Sequence, residues 1–299
     1  MDAKIQAAVD LWNAQVKEGD LKSELTTLLA PENADKLYDA FYRDLAFGTA
    51  GLRGILGVGT NRMNVYVVAQ ATQGVADYLN AHYEYPSLAL ARDSRNKGED
   101  FQRVAAGVLA ANGIKVYVYP RIEPVPTLSF AVRYLHTSAG IVLTASHNPA
   151  VYNGYKVYND NGGQITDEAA TEISANIARV NPFDVKIMDF DEGLAQGLIE
   201  WTSEEVLDNF IAAIKRVSVP GFKAADGYKV VYTPLNGTGM ELVTRILKEI
   251  GVHDVAVVPE QAEPDGNFPT CTYPNPEFRE ALELALRLAD TVKPNLLVA

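Results

Sequence analysis

The chain of 299 residues holds one cysteine, Cys271, so no intrachain disulfide can form and a reducing compartment suits it. With that single thiol, the four histidines (His82, His136, His147 and His253) give no zinc-site spacing. No apolar run is long enough to span a bilayer, and Met1-Asp2-Ala3-Lys4-Ile5-Gln6 lacks the apolar core of a secretion signal. There is no Walker loop and no GxGxxG. There is no Gly-x-Ser-x-Gly elbow either, which argues against a Ser-His hydrolase. No internal repeat or low-complexity tract stands out. Positive charge is scarce: Lys and Arg total 26 against 38 Asp and Glu, for a net charge of −12. That balance argues against a general nucleic-acid or anionic-membrane binder. An anionic small molecule would need a local group of Arg, Lys or metal to overcome the field of the protein. A cytoplasmic globular protein is the expectation, with 47% hydrophobic residues, enough for two domains.

What the chain does contain is an alternating α/β pattern. Residues 3–42 read as helices, with Ile5, Val9, Trp12 and Val16 at helical spacing and Asp20 and Ser23 as capping candidates for a helix over 21–29. Asn64 suits the N-cap of a long helix reaching about Tyr83. Strands are expected at 88–91, 114–119 and 141–143, with helices at 101–111 and 126–135 between them. This is the spacing of βαβ crossovers and a mostly parallel sheet. Helices are also expected at 167–180, 203–217, 240–250 and 277–290, and strands at 229–233, 255–258 and 296–299. Residues 181–202 carry no clear period, and a domain boundary is placed near 200. A chain that stops on a bare apolar strand, Leu296 to Ala299, reads as a piece of a longer protein, since a parallel strand needs neighbours and a following loop.

Four stretches carry candidate chemistry. In Gly140 to Pro149 an apolar strand breaks into Thr144-Ala145-Ser146-His147-Asn148-Pro149, which holds a serine and a histidine at the carboxyl end of a strand, where open α/β sheets bind ligands. Ser146 is either a phosphoryl carrier or part of an ordinary strand-to-turn boundary. In Phe47-Gly48-Thr49-Ala50-Gly51-Leu52-Arg53-Gly54, three glycines and an arginine suit a phosphate cradle or a glycine-rich bend. Arg92-Asp93-Ser94-Arg95 ends the first parallel strand. Both arginines face the Ser146 rim, or the group is a surface ion pair. In Tyr152 to Gly163, turn signals flank Tyr155-Lys156-Val157-Tyr158, a hairpin strand whose register decides whether Lys156 faces Ser146 or solvent.

Taken together, the Thr144–Pro149 loop, Phe47–Gly54 and Asn153-Gly154-Tyr155-Lys156-Val157 resemble the α-D-phosphohexomutase superfamily. The N-terminal helices and Gly59-Thr60-Asn61-Arg62 look most like its phosphoglucomutase/phosphopentomutase branch. The resemblance implies two consecutive α/β domains with mixed, mostly parallel sheets: a helical extension at 1–42, a phosphoserine-bearing domain at 43–202 and an incomplete second domain at 203–299. It implies a phosphosugar mutase, with glucose 1-phosphate and glucose 6-phosphate as the expected pair and a phosphomannomutase or phosphopentomutase parent as alternatives. A non-catalytic phosphate-holding module is the reading of a different class. In such a mutase Ser146 passes its phosphoryl group to the sugar, a sugar 1,6-bisphosphate forms and turns over, and the other phosphate returns. The resemblance assigns Lys156 as general base, His147 an orienting or electrostatic role, and Arg53 charge neutralisation, with Thr49, Arg53, Asn148 and Lys156 on phosphate. It implies Mg2+ on a phosphoryl oxygen of Ser146, its carboxylates coming from an Asp-x-Asp-x-Asp-Arg loop beyond Ala299, so the 299 residues alone should be inactive. Partners are expected to be a phosphosugar and neither nucleic acid nor membrane, with no obligate protein partner.

Overall fold

Caps and apolar spacing set the helices. Asn64 accepts hydrogen bonds from the Tyr66 and Val67 amides at 3.1 and 3.0 Å, satisfying two of the donors that a helix start leaves free. The computed structural model describes residues 2–219, 221 and 224–299. Three N-terminal helices come first: α1 (Ala3–Gln15), α2 (Asp20–Leu28) and α3 (Ala34–Phe41). The residue capping α2 is Gly19, and Asp20 is its first helical residue rather than its cap. The first sheet is then built from β1 (Gly51–Ile55), α4 (Val65–His82), β2 (Ser87–Arg92), α5 (Gly98–Ala111), β3 (Lys115–Val118), α6 (Val125–Tyr134), β4 (Ala139–Leu143) and β5 (Tyr152–Asn159). Next come α7 (Asp167–Ile177), α8 (Phe190–Ala195) and β6 (Ile199–Trp201).

The strand order is β1-β5-β4-β2-β3-β6. β4, β2, β3 and β6 run parallel, and β5 lies antiparallel between β4 and β1. The sequence pattern anticipated the parallel core but not α8 and β6, which arise from the aperiodic 181–202 stretch and close the far edge. Asn153-Gly154 is not a turn. It lies inside β5, where a Cβ on Gly154 would meet the Thr144 carbonyl oxygen at 2.4 Å. Only glycine allows the serine loop to approach β5 that closely.

A large core on one face of this sheet joins α4, α5 and α7 to the N-terminal helices. Trp12 sits at its corner, edge-on to Phe41, Tyr66 and Phe183 at centroid distances of 5.7, 5.7 and 5.3 Å. A smaller core covers the other face. It holds Ala91 and Val142 from the sheet, Leu128 and Val132 of α6, and residues from α9 (Glu204–Arg216) and α10 (Met240–Glu249). The second sheet, β8-β7-β9, is wholly parallel, with β7 (Lys229–Tyr232), β8 (Asp254–Val257) and β9 (Leu296–Val298). α10 covers one face, and α12 (Arg279–Val292) the other; a short α11 (Pro259–Ala262) opens the long loop between β8 and α12. No helix among the described residues is long and apolar enough to cross a membrane.

Trp12 ties α1 to α3, α4 and Phe183 by aromatic packing. Trp12→Ala is expected to destabilise the protein by about 3–5 kcal/mol, read as a lower urea midpoint. The half-exposed Trp201, changed to Ala, should cost about 1 kcal/mol or less.

Candidate active site

The serine loop leaves the carboxyl end of β4, a strand buried at every position. Its path is set by backbone bonds. The Thr144 amide donates to the Gly154 carbonyl at 3.0 Å, and the Ser146 amide donates to the Thr144 hydroxyl at 2.9 Å. Asn148 closes a turn on the Ala145 carbonyl at 3.2 Å. Ser146 sits at φ 56°, a left-handed conformation that costs an L-residue about 1–2 kcal/mol. Ser146 and His147 are both exposed.

The strain is held by Arg95. Its guanidinium donates to the carbonyls of Ser146 (2.8 Å), Asn148 (2.5 Å), Pro149 (3.0 Å) and Tyr152 (2.9 Å). The side chain is fully buried. This corrects the expectation for Arg92-Asp93-Ser94-Arg95, because the two arginines do not share the Ser146 rim. Arg92 turns to the opposite face, to Gln102 (3.2 Å) and Glu99 (3.5 Å), while Arg95 forms the inner wall of the loop. Side-chain alternation along and beyond β2 separates Arg92 from Asp93 in this way. Asp93 stays near Arg95, with Oδ2 3.5 Å from Nε, and accepts from the Arg95 amide at 2.9 Å.

Register decides the place of Lys156. It pairs with Val142 on β4 and Gly51 on β1, and shares a sheet face with Arg53, which lies opposite Gly154. Lys156 is half-buried rather than a solvated face residue. Burial, and then the charge of Arg53, lower the affinity of its amine for a proton, and Asp93 opposes them. Burial pushes the Asp93 carboxyl above its ordinary range, against the Thr144 hydroxyl, the Arg95 amide and the charges of Arg95 and Lys156. Arg53 donates to the Asn148 side-chain oxygen at 3.2 Å, so one cation reaches the serine loop from β1. His147 Nδ1 lies 3.5 Å from Ser146 Oγ, at the outer limit of a hydrogen bond.

The glycine cradle is only partly realised. A Cβ on Gly51 would lie 1.8 Å from the Tyr155 carbonyl oxygen, so this glycine lets β1 cross β5 closely. Thr49 lies exposed in the turn before β1. Of that stretch, Arg53 is the residue that meets the loop. No group of three or more His, Cys, Asp or Glu among the described residues could hold a metal ion. Asp93, the carboxylate beside the loop, is turned to Arg95 and Lys156. These residues do not by themselves make a magnesium site.

A cleft of about 490 Å³ lies over the loop, with Asp93, Ser146 and His147 on one wall and, on the other, Tyr232 at the end of β7 with Thr238 and Phe268 of the second sheet's loops. A larger cleft of about 1010 Å³ lies between α2 and the start of α5. Several of its charges are paired with one another, Lys97 with Asp20 and Asp100, and Arg92 with Glu99. The narrower cleft also contains Glu123, which the sequence did not single out. Glu123 is buried at 2% exposure, and its carboxyl is raised to about 7, chiefly by that burial and against the pull of Arg121. Arg121 binds Glu123 (3.0 Å), Glu204 (2.8 Å) and Glu241 (3.0 Å), joining the first sheet to α9 and α10. An Arg-x-Glu just before a Pro-led helix was the available signal.

Residues 44–182 match the family model for phosphoglucomutase/phosphomannomutase α/β/α domain I, and residues 208–299 the model for domain II. The chain belongs to this family, within the α-D-phosphohexomutase superfamily. It is 37% identical over 290 residues to a Staphylococcus saprophyticus phosphoglucomutase, covering 97% of this chain and 51% of that protein. It is 36% identical over 308 residues to a Saccharomyces cerevisiae phosphoribomutase, covering 97% and 49%. The chain thus spans about half the length of these relatives. Among solved structures, a Burkholderia thailandensis phosphoglucomutase/phosphomannomutase family protein superposes with a TM-score of 0.65 at 23% identity, covering 83% of this chain and 50% of that one. The Paramecium protein parafusin gives 0.61 at 17%, covering 83% and 48%. Both likenesses bear on the fold. The mixed α/β architecture, the mostly parallel sheet and the leading helices match what the resemblance implied.

Glu123 carries a pH prediction. Its carboxyl is raised in the folded state, so the native state binds the extra proton. The associated stability is complete below about 4.5 and is lost as pH rises through about 7. That displacement bounds the effect at about 3 kcal/mol. Glu123→Gln, which keeps a neutral acceptor for Arg121, should flatten the loss of stability between about pH 5 and about pH 8. Urea melts at both pH values check it. An unchanged slope would show that Glu123 does not titrate with folding.

Proposed function

We propose that this chain is the phosphoryl-carrying half of a phosphosugar mutase that interconverts glucose 1-phosphate and glucose 6-phosphate through a phosphoserine at Ser146. The observation that carries the reading is a strained, exposed serine at a strand's carboxyl end, with Arg53 bonded to its loop through Asn148 and Lys156 on the same sheet face as Arg53. Phosphoryl transfer needs positioning and charge neutralisation more than covalent chemistry, and this arrangement suits both. The sugar hydroxyl oxygen attacks phosphorus, the bond from phosphorus to Ser146 Oγ breaks, and a sugar bisphosphate forms. Lys156, its proton affinity lowered, accepts the hydroxyl proton, and a proton returns to Ser146 Oγ. In the second half, after the bisphosphate has turned over, Ser146 Oγ loses its proton and attacks the other phosphorus, the bond from that phosphorus to its own sugar oxygen breaks, and Lys156 returns its proton to that oxygen. Thr49, Arg53, Asn148 and Lys156 hold phosphoryl oxygens; His147 has an orienting or electrostatic role. Magnesium, with carboxylates from outside these residues, belongs to the proposal as a neutraliser of phosphoryl charge, and no step above is derived through it. Mannose and pentose phosphates are the alternative substrates, the latter supported by the likeness to a phosphoribomutase. A cytoplasmic site of action fits this metabolism.

In the full-length protein, Ser146→Ala should abolish the covalent phosphate seen by mass spectrometry and lower turnover of glucose 1-phosphate by about 10³-fold or more. Retained turnover would refute the carrier role. The purified 299-residue chain in the same assay should show negligible turnover, and measurable turnover would overturn its dependence on further residues.

Lys156 sets the second test. A base must be unprotonated, so kcat rises with pH across its titration. Removing the Arg53 charge raises the affinity of Lys156 for its proton, so Arg53→Gln should move that limb to higher pH. Asp93→Asn removes an opposing charge and should move it to lower pH. A limb that stays in place in both variants would exclude Lys156 as the titrating group.

A further inference from the structure

The Arg95 guanidinium has a second neighbour that belongs to the other sheet's connections. Phe268 is buried, at 6% exposure, and its ring centroid lies 5.1 Å from the guanidinium carbon of Arg95. The turn bearing it is tightly seated. A Cβ on Gly266 would come within 2.6 Å of the Asn96 amide nitrogen and 2.7 Å of the Ser94 carbonyl oxygen, so this turn presses into the Ser94–Asn96 turn without room for a methyl group. The Asn96 side chain donates to Asn267 at 2.9 Å. Phe268 itself is held at φ 47°, its amide bonded to the Asp265 carbonyl at 3.1 Å. The Asp265 amide in turn donates to the carbonyl of Asn236 at 3.0 Å, in the loop that follows β7.

Arg95 has no freedom to answer this contact on its own. Four of its donor bonds end on the backbone of the serine loop. Its Nε finds no partner at hydrogen-bond distance, only the Asp93 carboxylate at 3.5 Å. A planar guanidinium clamped in its own plane by carbonyls presents its face as the remaining surface, and an aromatic ring is the group that favours that face.

We infer that Phe268, acting through Arg95, is a positioning residue for Ser146: the loop of the second domain sets the geometry of the phosphoryl carrier in the first. The inference rests on the reading of Ser146 as carrier for its kinetic consequence, and on the structure alone for its mechanical one. Phe268 touches no reacting atom. It fixes the plane of the guanidinium, the guanidinium fixes four carbonyls, and those carbonyls hold Ser146 in its left-handed conformation. Movement of the second domain's Asp265–Phe268 turn is therefore transmitted to the reacting hydroxyl.

Two measurements separate this inference from the carrier reading. The first is hydrogen–deuterium exchange on the 299-residue chain, read in peptides covering Ser146 to Tyr152 and, as a control, α4 and α12. Phe268→Ala should speed exchange in the serine loop about tenfold and leave α4 unchanged. Phe268→Leu, which keeps most of the volume but loses the ring, should give the same direction with less risk of unfolding. Exchange in the loop equal to wild type in both variants overturns the inference, whatever the activity. The second is steady-state kinetics of the full-length protein. Phe268→Leu should lower kcat about tenfold with KM changed less than about threefold, and Arg95→Ala should regain part of its kcat with added guanidinium ion. A fall in kcat that tracks loss of folded protein, or a change confined to KM, overturns the kinetic half. If Ser146→Ala retains turnover while the loop exchange still responds to Phe268, the carrier reading fails and the mechanical coupling stands.

Discussion

One buried guanidinium governs the arrangement of the candidate site. Arg95 takes four carbonyls between Ser146 and Tyr152 and leans on Asp93, so one side chain fixes the course of the serine loop. Burying a charge without partners is expensive, and Arg95 offsets that cost by charge-assisted bonds to peptide oxygens rather than by a full ion pair. The same bonds hold Ser146 in a conformation it would not keep alone. The position of the exposed hydroxyl is therefore a consequence of a residue with no surface of its own.

Around this centre the sheet supplies the other groups by register. β5 runs antiparallel between β4 and β1, which puts Lys156 and Arg53 on one face of adjacent strands. Partial burial lowers the hold of Lys156 on its proton, and the charge of Arg53 adds to the effect. An acidic protein thereby gains a locally positive patch where an anion would sit, without a general positive field. The second sheet contributes the opposite wall of the cleft. It is joined to the first by the Arg121 network and by the packing of α9 and α10 on the sheet's second face.

The elements legible in the amino-acid order were those with strong periods. The long helix capped by Asn64, the buried strand before Ser146 and the βαβ rhythm were all visible because local spacing and capping decide them. The resemblance gathered Ser146, His147, Asn148, Arg53 and Lys156 around one phosphate, but the residues alone did not give the register that places them. Whether Lys156 turned inward depended on how Gly154 paired with Arg53, which is a fact about register and not about composition. Arg95 was expected at the Ser146 rim, but its burial beneath the loop was not, because its partners are carbonyl oxygens, which every residue has and no sequence pattern marks. β6 escaped because three residues, Ile199 to Trp201, are too few to show an alternation. Asn153-Gly154 read as a turn by its chemistry and proved to be strand, since the glycine was required by the nearness of Thr144.

The grip on the serine loop is made on main-chain oxygens. Arg95 senses the course of the polypeptide from Ser146 to Tyr152 and is indifferent to what hangs from it. The Asn148 side chain adds one tie of its own, to Arg53, but the four bonds from Arg95 would survive a change of any side chain along the curve. The course of the main chain and the chemistry of its outer side chains are thus held by separate atoms, and the inner scaffold keeps its shape whatever the outward-facing groups are.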